Sequence, residues 1–132
     1  MTEARANEIF RTKYPEGEIC RKHSTSAENK YWVTFKPEGK VYYYSGTSYQ
    51  QVLGKLGFPI AYKHNIETAK NCVARHTKQL EDLHNGIKPA FFNIFGDKTD
   101  EEAMAYEITE TEKQLAYWKE ELRHLTEDCF TE

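Results

Sequence analysis

Apolar residues change their spacing along the chain, and each change marks a different kind of element. Near the N-terminus Thr2 is placed to cap a helix with Glu3 in its first turn and Ile9, Phe10 and Tyr14 as apolar positions. Pro15-Glu16-Gly17 should stop that helix, because proline cannot extend it and glycine favours a turn. Glu18 to Ser24 then reads as an extended segment, followed by turn-prone residues from Thr25 to Asn29. From Lys30 to Lys36 the spacing is two: Tyr31, Val33 and Phe35 fall on one face of a strand, Trp32 and Thr34 on the other. Pro37 to Lys40 is a tight-turn sequence, and Val41 to Ser45 returns with Val41 and Tyr43 opposed to Tyr42 and Tyr44.

A short helix is expected from Ser48, with Tyr49, Val52, Leu53 and Leu56 inward and Gly57 just past its end. Phe58 to Tyr62 is apolar and extended, a candidate further strand. The spacing then becomes heptad-like. Asn65 is a candidate cap for a helix to about Asn85, closed by Gly86, with Ile66, Ala69, Val73, His76, Leu80 and Leu83 as its stripe. Thr99 caps a second long helix whose stripe is Met104, Ile108, Thr111, Leu115, Trp118, Leu122 and Leu125.

These elements predict an α+β fold: a small antiparallel sheet with an N-terminal helix, then two long C-terminal helices forming an antiparallel pair. No linker or repeat interrupts the chain, so a single domain over 1–132 is expected, with 1–64 as sheet and short helices and 65–132 as the helical hairpin. The stripes are either plain hairpin core or also a subunit interface. Tyr117 and Trp118, adjacent on the last helix, cannot both face one partner, which favours a homo-oligomer.

Composition narrows the function. Aromatic residues make up 14% of a chain that is only 39% hydrophobic, so apolar area sits in a few large rings of the kind that interfaces and stacking pockets use. The net charge of −3 gives no global field to attract duplex nucleic acid. Cys20, Cys72 and Cys129 have neither even number nor motif spacing, which argues against a disulfide framework or zinc site and for reduced thiols in the cytosol. No secretory signal or membrane-spanning run is expected at MTEARANEIF or beyond, so the expected location is cytoplasmic.

Enzyme chemistry lacks a foothold. His23, His64, His76, His84 and His124 form no metal-ligating motif, and no phosphate-binding glycine loop occurs, so neither catalytic residue, metal nor cofactor is expected. His76, on the apolar stripe, reads as a hydrogen-bonded core or interface histidine. The most informative segment is the inter-helix loop, where Ala90-Phe91-Phe92-Asn93-Ile94-Phe95 lies between Pro89 and Gly96. Its rings either plug the end of the helical pair or stack on a flat ligand whose edge Asn93 reads. In the second case Lys88, Lys119 or Arg123 supplies the cation, and Arg11 or Arg75 is an alternative phosphate partner.

Glu8-Ile9-Phe10-Arg11-Thr12-Lys13-Tyr14-Pro15-Glu16-Gly17, Phe35-Lys36-Pro37-Glu38-Gly39-Lys40-Val41-Tyr42 and Val52-Leu53-Gly54-Lys55-Leu56-Gly57 together resemble small proteins of phages and mobile elements, specifically the Thoeris anti-defence family of signal sponges. By strings the resemblance covers about residues 1–60, and beyond them it is one of architecture. It implies an oligomer, dimers assembling into hexamers, that sequesters a cyclic ADP-ribose isomer made by an immune TIR enzyme in the host-cell cytosol. It also implies that some members hold cyclic oligonucleotides at a second site. The family's pocket of an aromatic ring, an amide and arginines would correspond here to Phe91 or Phe92, Asn93 and Arg123. An inhibitor of another class, an acidic protein that occupies a nucleic-acid channel as an anti-CRISPR protein does, is the alternative. Glu101, Glu102, Glu107, Glu110, Glu112, Glu120, Glu121, Glu127 and Asp128 would form its face.

Overall fold

The computed structural model describes residues 1–22, 30–35 and 40–132. Thr2 caps α1 (Glu3–Phe10), its hydroxyl accepting from the Arg5 N–H at 3.2 Å, and Ala6, Ile9 and Phe10 are buried. The turn after α1 brings the chain back so closely that a Cβ at Gly17 would run into the Phe10 ring. Three strands follow, β1 (Gly17–Lys22), β2 (Lys30–Phe35) and β3 (Lys40–Ser45), in an antiparallel sheet of order β1-β2-β3. The register sets Ile19 opposite Val33 and Val33 opposite Tyr42, so these three share one face. Ile19 and Val33 are fully buried there. Most of the expected turn at 37–40 and the whole polar segment 25–29 lie outside the described residues.

Ser48 caps α2 (Tyr49–Lys55), accepting from the Gln51 N–H at 3.2 Å. Tyr49, Val52 and Leu53 close over the same core, and Gly57 takes the left-handed conformation (φ 91°) that ends the helix. Phe58 completes the cluster, with its ring centroid 6.1 Å from that of Phe10. Phe58 to Tyr62 does not form the further strand that its apolar run suggested. Ile60 makes a single parallel bridge with Phe130, because the chain's last residues return to this core. Phe130 donates to Pro59 O and accepts from Ala61 N, both at 2.8 Å, and the Arg5 guanidinium donates to Thr131 O at 3.0 Å.

The chain accordingly divides into two compact units, residues 1–63 with 125–132, and residues 64–124. The expected hairpin span of 65–132 thus ends at His124; the terminal residues belong to the sheet unit, where Phe130 packs against the core.

The second unit is the antiparallel pair of α3 (Lys63–His84) and α4 (Asp100–Arg123), with a π-helical turn at His124–Asp128 after it. Helix α3 starts at Lys63, three residues before the Ile66 expected from a cap at Asn65, so Asn65 lies inside it rather than capping it. Regular backbone geometry continues back through His64, whose carbonyl accepts from the Thr68 hydroxyl at 2.8 Å. Gly86 (φ 78°) ends α3, and the Thr99 hydroxyl caps α4 by accepting from Glu102 N at 3.1 Å. Both stripes are buried or half-buried along their length, with Ala69, Leu83, Thr111 and Leu115 the most enclosed. Tyr117 stands out in solvent and Trp118 is half-buried, their rings edge-to-face with centroids 5.2 Å apart. His76 departs from expectation: both ring nitrogens are buried and neither has a hydrogen-bond partner.

Candidate functional site

The loop between α3 and α4 is held by short-range bonds. Ile87 N donates to Asp82 O at 2.9 Å, which ties the loop start to the last turn of α3. Phe92 N donates to Pro89 O at 3.2 Å and Gly96 N to Asn93 O at 3.0 Å, forming two successive turns. Within this stretch Phe91 (φ 62°) and Asn93 (φ 46°) adopt left-handed backbone conformations. Asparagine tolerates this region; phenylalanine does so at a cost, and such outliers collect at functional loops.

The consequence is a display of rings. Phe91 is 83% exposed, Phe95 89% and Ile94 64%, so the loop does not plug the helical pair with these side chains. They surround an open cavity of about 310 Å³ that is also lined by Asn93, Lys98 and Tyr106. Asn93 donates through Nδ2 to Lys98 O at 2.7 Å, while its Oδ1 is buried without a partner. The Lys98 ammonium sits 3.7 Å from the centroid of the Tyr106 ring, a cation–π contact that keeps positive charge at the cavity wall. Asp97 and Glu107 add two carboxylates to the lining.

Of the residues singled out in the sequence, Phe91 and Asn93 line this cavity and Phe92 does not. Phe92 is half-buried beneath Lys88, whose ammonium lies 5.3 Å from the ring centroid and pairs with Asp100 at 3.0 Å. Lys119 and Arg123 are not brought to the loop within one chain. They lie more than three turns beyond Tyr106 on α4, on the order of 20 Å at about 1.5 Å per residue. The Arg123 guanidinium is engaged with Glu120, its Nη2 2.7 Å from Oε1. Arg75 is exposed in the middle of α3, 4.0 Å from the Cys72 sulfur. Arg11 belongs to the sheet unit, where its Nε donates to Gly17 O at 3.1 Å.

Lys98 is the cation the sequence reading missed. Its position eight residues before Tyr106 carries no periodic signal, because the approach depends on the chain turning from loop into α4. Among the described residues no group of three or more His, Cys, Asp or Glu side chains is arranged to hold a metal ion. No helix there is long and apolar enough to cross a membrane. Compared with known protein families, characterised proteins and solved structures, the chain matches none.

Proposed function

We propose that the chain binds a flat, anionic nucleotide at the hairpin loop and withholds it intact, acting as a phage or mobile-element anti-defence sponge for cyclic ADP-ribose-type immune signals. Cyclic oligonucleotides form a related ligand class. The observation that carries this reading is the pair of rings, Phe91 and Phe95, held almost wholly in solvent around a cavity whose wall carries a cation and an amide. Large rings exposed together in this way mark a binding surface more often than a structural one. Stacking on the base, a positive charge for phosphate and an amide for the base edge are what a nucleotide needs, and none of them performs a bond-breaking step.

In this reading the chain is a homo-oligomer, a dimer or hexamer, and the second copy covers the exposed rings and closes the ligand in. The acidic-inhibitor reading finds less support. Its face on α4 is interrupted where Lys113 pairs with Glu110 at 3.3 Å and Arg123 with Glu120 at 2.7 Å.

Native mass spectrometry of protein purified from cells with an active TIR enzyme tests the proposal. An intact cyclic nucleotide released on denaturation is expected. Recovery of no ligand, or of a hydrolysed product alone, would refute it.

A further inference from the structure

We propose that the outer edge of β3 pairs antiparallel with β3 of a second copy, joining two sheets into one across a two-fold axis. This surface belongs to the sheet unit and stands independently of what the loop binds.

The sheet treats its two edges differently. On β1, Asn7 of α1 fills the place of a neighbouring strand: Ile19 N donates to its Oδ1 at 2.9 Å, and its Nδ2 donates to Ile19 O at 3.0 Å. Among the described residues no strand lies beyond β3. Which backbone groups of β3 point outward follows from the register. Ile19 turns its groups away from Val33, so Val33 turns its own toward Tyr42, and the backbone of Tyr42 and Tyr44 bonds to β2. The N–H and C=O of Val41, Tyr43 and Ser45 therefore face away from the sheet. Such an edge is a template for another strand unless proline, a bulge or charge blunts it. Strand β3 reads KVYYYS, with its one charge at the very start, and its register with β2 runs unbroken from Lys40 to Ser45.

A second copy fits this edge in one symmetric register. Setting Tyr43 opposite Tyr43 of the second copy brings Val41 opposite Ser45, so every outward group meets a complementary one. A shift by one residue sets outward groups against inward ones, and a shift by two leaves an end of the ladder without its pair. In the symmetric register Tyr42 falls opposite Tyr44 of the second copy at a non-hydrogen-bonded position, where side chains approach most closely. Both rings are exposed, and both lie on the face of the sheet that buries Ile19 and Val33. The tyrosine pairs thus extend that face across the joint, and aromatic cross-strand pairs stabilise such ladders. The two Lys40 side chains stand at opposite ends of the joint, about 20 Å apart at about 3.4 Å per residue, well beyond the screening length of about 8 Å. Because Asn7 already occupies the other edge at Ile19, the joined sheet ends there and does not grow into a fibre.

Amide hydrogen exchange of the native chain, read by NMR, tests the pairing. An edge facing water alternates: the Tyr42 and Tyr44 amides, bonded to β2, exchange slowly, and those of Val41, Tyr43 and Ser45 quickly. In the paired edge these three should exchange at least about tenfold more slowly than at a water-facing edge, and should lose that protection on dilution. Sedimentation velocity on the native chain, Val41→Pro and Val41→Thr supplies the mass. An edge strand tolerates proline where the missing N–H points outward, so Val41→Pro should keep the sheet and halve the assembled mass, while Val41→Thr, which keeps the N–H, should leave it unchanged. Far-UV circular dichroism checks the fold; should Val41→Pro fail to fold, Tyr44→Glu, at an exposed position, takes its place by setting a carboxylate against the Tyr42 ring of the second copy. Alternating exchange in the native chain, or a native chain that sediments as a monomer at the concentration used for exchange, overturns the pairing. Protection that survives dilution, together with a mass that the edge variants leave unaltered, shows the edge covered by something other than β3 of a second copy and overturns it as well.

Discussion

Replacing Asn7 by leucine should destabilise the sheet unit far more than a surface position would. Asn7 is 7% exposed and serves as the missing neighbour of an edge strand. Its Oδ1 accepts from Ile19 N at 2.9 Å, and its Nδ2 donates to Ile19 O at 3.0 Å and to Glu3 O at 3.0 Å. Ile19 opposes Val33 in the β1–β2 ladder, and in an antiparallel pair alternate residues turn their backbone groups outward. Those of Ile19 turn toward α1 and meet the amide. Leucine repeats the branched outline with bulkier methyl groups in place of the amide, and two buried backbone groups lose their partners. At about 1–3 kcal/mol for each orphaned group, the loss should be about 3 kcal/mol, a large part of the roughly 5–15 kcal/mol that holds a domain together. Urea unfolding followed by circular dichroism measures the loss, and amide hydrogen exchange locates it at Ile19. Asn7→Asp keeps the acceptor for Ile19 N but sets a second acceptor oxygen against the Ile19 and Glu3 carbonyls in a buried site, so at neutral pH it should be at least as destabilised as the leucine variant. A leucine variant within about 0.5 kcal/mol of the native chain, the range of neutral surface changes, would refute this account of the edge.

Four further outcomes are expected. Phe10→Ala, which empties a fully buried ring site packed against Tyr14 and Phe58, should cost about 3–5 kcal/mol by urea titration. His76→Leu should raise the thermal midpoint, since two buried nitrogens without partners are replaced by apolar surface, a gain of about 1 kcal/mol. Phe91→Ala and Phe95→Ala should leave stability within about 0.5 kcal/mol because both rings are exposed, while calorimetry with cyclic ADP-ribose should show binding lost. Lys98→Met, which removes the charge at the cavity wall and keeps the aliphatic stem over Tyr106, should weaken that binding about tenfold, the effect of one charge-assisted contact.

Local chemistry made much of the fold legible. The caps Thr2, Ser48 and Thr99 act within three residues of themselves, and all three hydroxyls accept the bonds their positions suggest. The helical stripes were equally readable, since burial on one side of a helix imposes its own period. Asn65 misled because an asparagine that can cap does so only where the backbone leaves the helix, and here it does not. The return of Phe130 to Pro59 and Ala61 left no local trace, for its partners lie about seventy residues away and only the tertiary fold joins them. At the candidate site the sequence marked Phe91 and Asn93 through composition alone. It offered Lys88, Lys119 or Arg123 for charge; Lys88 is paired with Asp100, and helical spacing sets the other two more than three turns beyond Tyr106. The lysine that reaches the cavity, Lys98, is placed by a loop turn that depends on left-handed backbone at Phe91 and Asn93, and no residue pattern encodes that.

The tail that closes on Pro59 and Ala61 also sets an order of assembly. A ribosome delivers the whole of α3 and α4 before it delivers Phe130, so the helical hairpin is complete while the sheet unit still lacks its last piece. The hairpin is in effect an insert between two parts of one folding unit. Because the Arg5 guanidinium holds Thr131 O, residues 5 and 131 lie side by side on that unit. A circular permutant of residues 1–132, with residue 132 linked to residue 1 and the new break placed in the displayed loop, would let the sheet unit be synthesised without interruption, one long helix before it and one after it in the chain.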